Sequence, residues 1–213
     1  MSPNPALNLA PFGRWTLRDK AAQRRLALRY AEKNIVPFTP FHMGPGILVK
    51  ALLQGGFSLM VFGWSQIIMD IQPLVAIISG GGKLHGFTHT YVGSTLIAVF
   101  SAVTGKYLSQ WALVLLSNGA QRGINIRWWV AFLSAFIGSY SHVVLDSIMH
   151  TDIEPFSPFS QSNELLGLIS VSALHKLCVY SGLAGAVIYF AVNYLLSRHN
   201  NAFNADAPKR RAD

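Results

Sequence analysis

Long apolar runs separated by short polar stretches set the plan of this chain. The first run, 45–69, carries Lys50, Gln54 and Gln66, and Gly55-Gly56 weakens its middle. It closes at Asp70-Ile71-Gln72-Pro73, because a proline costs a helix one hydrogen bond. A short apolar run, 74–79, leads into Gly80-Gly81-Gly82-Lys83, read as a flexible turn because it lacks the setting of a phosphate-binding loop. Further apolar runs cover 91–116, 128–150 and 165–196. Between them stand Leu84-His85-Gly86-Phe87-Thr88-His89, a polar turn at 117–127 and a loop at 151–163 rich in Pro, Ser and acid. The long runs reach the ~20 residues that cross a hydrocarbon core. The pattern predicts an all-α, polytopic integral membrane helical bundle with about four transmembrane helices.

Composition agrees. Of 213 residues, 51% are apolar and 12% charged, half the charged share of about 25% usual in a soluble domain. Cys178 is the single cysteine, which excludes an intrachain disulfide and a Cys-based zinc cluster. The net charge of +8 is concentrated at the ends: residues 14–33 hold seven Lys or Arg, and Arg198, Lys209, Arg210 and Arg211 lie in the tail. Such blocks fit a cytoplasmic membrane surface better than a nucleic-acid groove. Residues 1–13 read as irregular, with no cleavable signal peptide. Residues 15–33 read as a basic amphipathic helix, either lying on anionic lipid or packed on the domain. Three regions result: a basic N-terminal region 1–36, a membrane-embedded domain 37–197 and a disordered basic tail 198–213. Multi-pass insertion in the cell membrane, the inner membrane of a bacterium, is expected. Trp64, Trp128 and Trp129 stand where interface aromatics would.

Four crossings starting with 45–69 put both basic termini and the Arg122/Arg127 turn on one side. Asp70, His85, His89 and the end of the third long run then gather on the other, and His42 is stranded. A chain folding back at Gly55-Gly56 as a half-depth hairpin, buried in protein, would instead bring His42 to Asp70 and reverse the orientation. The four-crossing arrangement is the expectation.

Chemistry concentrates at the end of the 128–150 run. His142, Asp146 and His150 recur every four residues, which stacks them on one helix face. Ionisable groups in a membrane helix are costly without a function. Imidazole and carboxylate donors together suit Zn²⁺, with Mn²⁺ or Fe²⁺ as alternatives. His42, Asp70, His85 and His89 are the further candidate ligands. A bound cation lowers the pKa of water to ~7, and a neighbouring carboxylate, Asp146 or Asp70, takes the proton. The ester or phosphoester of an amphiphile arriving from the bilayer is the expected substrate. Asp152, Glu154 and Glu164 read as solvated loop acids, one of them an alternative base. Lys176 is expected to snorkel. His175 either lines the site or bonds a carbonyl.

His42 before the first run, Asp70 closing it, Gly86-Phe87-Thr88-His89, and Ser141-His142 through Asp146 together resemble the YdjM-like family of predicted membrane-bound metal-dependent hydrolases. The resemblance covers about residues 37–160 and implies metal-dependent hydrolysis at these positions. Two departures stand out. The family often has Asp-x-Asp after the first segment, where this chain has Asp70-Ile71-Gln72. It often has His-Arg-Gly-x-Thr-His, where Leu84 holds the first His position and His85 the Arg position. The missing carboxylate puts a second metal in question. Two rival readings remain: a transporter or channel using the His/Asp groups as a metal or proton relay, and a non-catalytic membrane protein whose polar pairs fix helix register.

Overall fold

The computed structural model describes residues 41–80, 84–116 and 125–206, with side chains through 201. The basic segment 15–33, Arg122 and residues 207–213 lie outside the described residues. Five α-helices follow one another, and no strand occurs among the described residues: α1 Met43–Leu53, α2 Leu59–Ser79, α3 Tyr91–Leu116, α4 Trp128–Met149 and α5 Val171–Asp206. Among the described residues, four stretches are long and apolar enough to cross a membrane: Leu59–Ser79, Tyr91–Leu116, Trp128–Met149 and Val171–Asn201.

The first crossing is α2, not 45–69. The chain breaks between α1 and α2 for local reasons. Gln54 takes φ 45°, and Gln54–Gly56 tightens into a 3₁₀ turn. Lys50 Nζ reaches over the break, donating to the carbonyls of Gln54 (2.7 Å) and Phe57 (2.8 Å). Phe57 is extended and buried, and Ser58 caps α2 by accepting from the Val61 N–H. Ser134 Oγ accepts from the Ser58 N–H at 2.8 Å, which satisfies the turn from α4. Apolarity alone hides this reversal, because the run looks continuous while its backbone is satisfied from the side. α2 then continues through Pro73 and absorbs the 74–79 run, ending at Gly80, whose φ of 69° supplies the left-handed cap. Asp70 thus sits near the middle of α2, about 16 Å from its start at 1.5 Å per residue.

α1 runs beside α5 in the same direction. A Cβ on Gly44 would stand 1.9 Å from the Cys178 carbonyl oxygen, and one on Gly185 would stand 2.5 Å from the Leu48 nitrogen. This backbone-to-backbone approach is what small residues permit in membrane helices. α2, α3 and α4 meet over Val61, Ala102, Ala131 and Ala135, all fully buried. Trp64 Nε1 donates to Thr104 on α3 at 2.9 Å. α5 turns much apolar surface outward, including Leu177, Leu183, Val187 and Phe190, as a lipid-facing helix does. It starts at Val171 rather than 165, because Gly167 takes φ 71° and Ser170 Oγ accepts from the Ala173 N–H. It continues through 199–206, part of the stretch expected to be disordered, because neither Gly nor Pro follows Gly185 until Pro208.

The fold-back changes the topology. Residue 41 lies at the same end of the bundle as the start of α5, where the Phe41 ring stacks on His175 at 4.7 Å. The described chain therefore enters at one end and leaves at the other, against the expectation of both termini on one side.

Candidate metal centre

Four stretches distant in sequence deliver the polar groups to one end of the bundle. α4 presents His142 and Asp146 from its inward face, both buried. α2 supplies Asp70. The 3₁₀ turn Phe87–His89 supplies His89, and His42 is the N-cap residue of α1.

Asp146 stands at the centre. His42 Nε2 lies 3.3 Å from its Oδ1, and Nε2 of His89 and His142 lie 3.4 and 3.1 Å from its Oδ2. His142 Nε2 is also 3.2 Å from Asp70 Oδ1. Donors ~2.0–2.2 Å from a tetrahedral cation stand about 3.3 Å from one another, so these spacings fit the edges of such a site.

Two glutamines decide which imidazole nitrogen faces inward. Gln66 Nε2 donates to the Gly138 carbonyl at 3.0 Å, which turns its Oε1 to His142 Nδ1. An amide oxygen only accepts, so Nδ1 carries the proton, and in the neutral ring Nε2 presents a lone pair. Gln72 Oε1 accepts from the Thr88 N–H (3.0 Å) and from Thr88 Oγ1 (2.6 Å). With its proton engaged, the Thr88 hydroxyl accepts from His89 Nδ1 at 2.9 Å, and Nε2 of His89 is likewise left as a lone pair. Among the described residues, the buried Nε2 atoms of His42, His89 and His142 have no hydrogen-bond partner. Lone pairs aimed at carboxylate oxygens repel them, and a cation between them reverses the sign. The residues present therefore fit a divalent metal. Burial also favours the neutral form, the one that ligates, in two of the rings: it pushes His42 down to about 4 against the pull of Asp146, and lowers His89 as well.

A second layer lies outside the first. His85 and Asp152 pair through Nδ1 and Oδ1 at 2.9 Å. The His85 ring stacks on His150 at 4.2 Å and stands edge-on to His89 at 4.9 Å. His150 caps the end of α4, its N–H donating to the Asp146 carbonyl at 2.9 Å. Asp152 is thus a half-exposed, paired carboxylate rather than a solvated loop acid. Burial raises its pKa, but the hydrogen bond from His85 outweighs this and holds it below the ordinary value.

All seven candidate ligands converge. Donor atoms of His42, His142 and Asp146, of Asp70, His89 and His142, and of His85, Asp146 and His150 lie within 4.8 Å of one another in each set. Gln66, Gln72 and the pairing of Asp152 were not singled out from the sequence. Gln66 did carry a signal, being four residues before Asp70 and so on the same helix face. Gln72 occupies the position of the missing second carboxylate and anchors the loop that carries His89. A cavity of about 650 Å³ opens elsewhere, at the α1–α2 elbow beside Lys50, Phe57, Arg127 and Trp129, and no candidate ligand lines it.

No curated protein and no solved structure matches the chain. A family model does, beginning four residues after His42. It covers most of α1 and all of α2, α3 and α4, and by that match over residues 46–202 the chain belongs to the YdjM inner membrane protein family.

Proposed function

We propose that this inner membrane protein is a metal-dependent hydrolase acting on the ester or phosphoester of a lipid-like substrate. The observation that carries the reading is the convergence of three buried, unpartnered Nε2 atoms on one carboxylate. A structural polar pair satisfies its atoms within the chain; these are left for something else.

His42, His89, His142 and Asp146 would hold the cation, with Asp70 beside it. A Zn²⁺-type ion there supplies Lewis acidity, polarising the scissile group and acidifying water. The two carboxylates differ in access. The Asp146 side chain is 6% exposed and the Asp70 side chain 36%. Asp146 accordingly holds charge in the interior, while Asp70 faces the mouth and takes a proton from water. Around that end the loops expose Phe87, Phe156, Phe159 and Leu168, an apolar rim suited to acyl chains. A relay through the bundle is disfavoured by the buried apolar cluster of Val61, Ala102, Ala131 and Ala135 between the helices.

Metal analysis of detergent-purified protein tests the reading, together with turnover of ester and phosphodiester amphiphiles in mixed micelles. The parent retains a divalent ion and hydrolyses one class; His142→Ala and Asp146→Ala do neither. Equal metal content in parent and variants would remove the basis for a hydrolase.

A further inference from the structure

The geometry points to a second divalent-cation site at the mouth, formed by His85, His150 and the Asp146 carboxylate shared with the inner site. It rests on reading the inner cluster as a cation site and makes the centre dinuclear.

Three observations carry it. One donor atom from each of His85, Asp146 and His150 lies within 4.8 Å of the other two. This set contains neither His42, His89, His142 nor Asp70, so an ion in the inner cluster does not use up its nitrogens. Second, Asp152 holds His85 as an orienting carboxylate holds a metal-ligating imidazole. The Asp152 carboxylate accepts the His85 Nδ1 proton at 2.9 Å, and its other oxygen lies 3.4 Å from the His85 backbone nitrogen, which donates to it. With Nδ1–H so used, Nε2 of His85 offers its lone pair. Third, the His85 and His150 rings lie nearly parallel, 4.2 Å apart and 29° from coplanar. Side-by-side imidazoles can offer one nitrogen each to neighbouring positions of the same ion.

Asp146 is suited to sharing because it has two oxygens and imidazoles gather around it. Its Oδ1 faces His42, and its Oδ2 faces His89 and His142. The carboxylate missing at Gln72 is thus made up from another place in the chain: Asp152 enters from the loop after α4 and steadies a histidine instead of binding as a ligand from α2. The substrate class narrows accordingly. Two cations sharing a carboxylate can clamp both the attacking and the leaving oxygen of an in-line displacement, which favours a phosphoester over a carboxylic ester.

The test is the number of ions per chain. Detergent-purified protein, reconstituted with Zn²⁺ alone and dialysed, is measured by elemental analysis. Mn²⁺-loaded protein is examined by electron paramagnetic resonance for coupling between two ions. The parent binds two ions, and its Mn²⁺ signal shows the coupling. His85→Ala and His150→Ala each bind one, with the coupling lost; Asp146→Ala binds none. Asp152→Asn keeps the fold-bearing residues intact and weakens the second ion by roughly 10–100-fold, the usual effect of losing an orienting partner. One ion in the parent, retained in His85→Ala and lost in His142→Ala, overturns the second site and leaves the single-ion hydrolase standing. No ion in the parent overturns both readings. Should His85→Ala fail to fold, an unchanged second-ion affinity in Asp152→Asn overturns the proposal by itself.

Discussion

The two ends of the bundle both bury polar groups, and they treat them in opposite ways. At the elbow end the cations are answered by the chain itself. Lys106 is 5% exposed, and its Nζ donates to Asn125 Oδ1 (2.7 Å) and the Ile126 carbonyl (2.6 Å), with the Trp128 ring centroid 5.1 Å away. Lys50 is satisfied by two carbonyls of the turn it bridges. At the other end the imidazole Nε2 atoms are held in place by bonds to their opposite nitrogens and then left without partners. The first arrangement is architecture. The second costs stability unless an external ion completes it, and it is this contrast, rather than the mere presence of histidines, that marks the site.

The contrast can be broken most sharply at Asp146. Asp146→Asn keeps the shape and removes the shared charge; bound metal should vanish, and hydrolysis should fall by at least ~10³-fold if the ion supplies several kcal/mol of transition-state stabilisation. The glutamines come next. Gln66→Ala and Gln72→Ala touch no ion, yet each frees an imidazole to turn over, so metal affinity should drop by roughly 10–100-fold; competition with a chromophoric chelator reads it. The elbow end supplies the control. Lys106→Met should lower thermal stability through about 1–3 kcal/mol of lost and orphaned hydrogen bonds, with the metal content of the surviving folded protein unchanged. A loss of metal there would mean that the two ends are not independent.

Acid gives the smallest and most gradual effect, measured on chelator-stripped protein. Burial lowers His42 to about 4 in the folded chain, from an ordinary value of 6.5. Between those values the unfolded chain binds the proton and the folded one does not, so stability falls as pH drops from 6.5 towards 4. His150, also lowered by burial, adds in the same direction. Unfolding midpoints that stay flat across this window would argue that the histidines are solvated.

The sequence pattern carried the helices 91–116 and 128–149 almost to the residue, because their apolar runs are long and their ends are marked by polar turns. It carried the His142/Asp146 stack as well, since i, i+4 spacing is read directly off a helix. The reversal at Gln54–Gly56 it offered only as the alternative to a straight crossing by 45–69. Hydropathy does not see a lysine folding onto carbonyls four and seven residues away in the same turn region, nor a serine of α4 satisfying the Ser58 N–H. The position of His42 follows from that reversal, and the four-crossing expectation therefore left it stranded. Gln66 and Gln72 were passed over for a different reason: neutral amides look like tolerated polar residues until their partners are known. His85 and Asp152 are 67 positions apart, and spacing along the chain says nothing about such a pair.

The parallel pairing of α1 with α5 has a mechanical consequence. α5 meets α4 near its own beginning, where Leu174 and Cys178 pack on Leu145 and Ile148, while the glycine seam fastens it to α1. His42 thus reaches the centre from one slab of the molecule, and Asp70, His89, His142 and Asp146 reach it from another. An ion seated among them would act as a rivet through two plates, and drawing it out would let the plates slide.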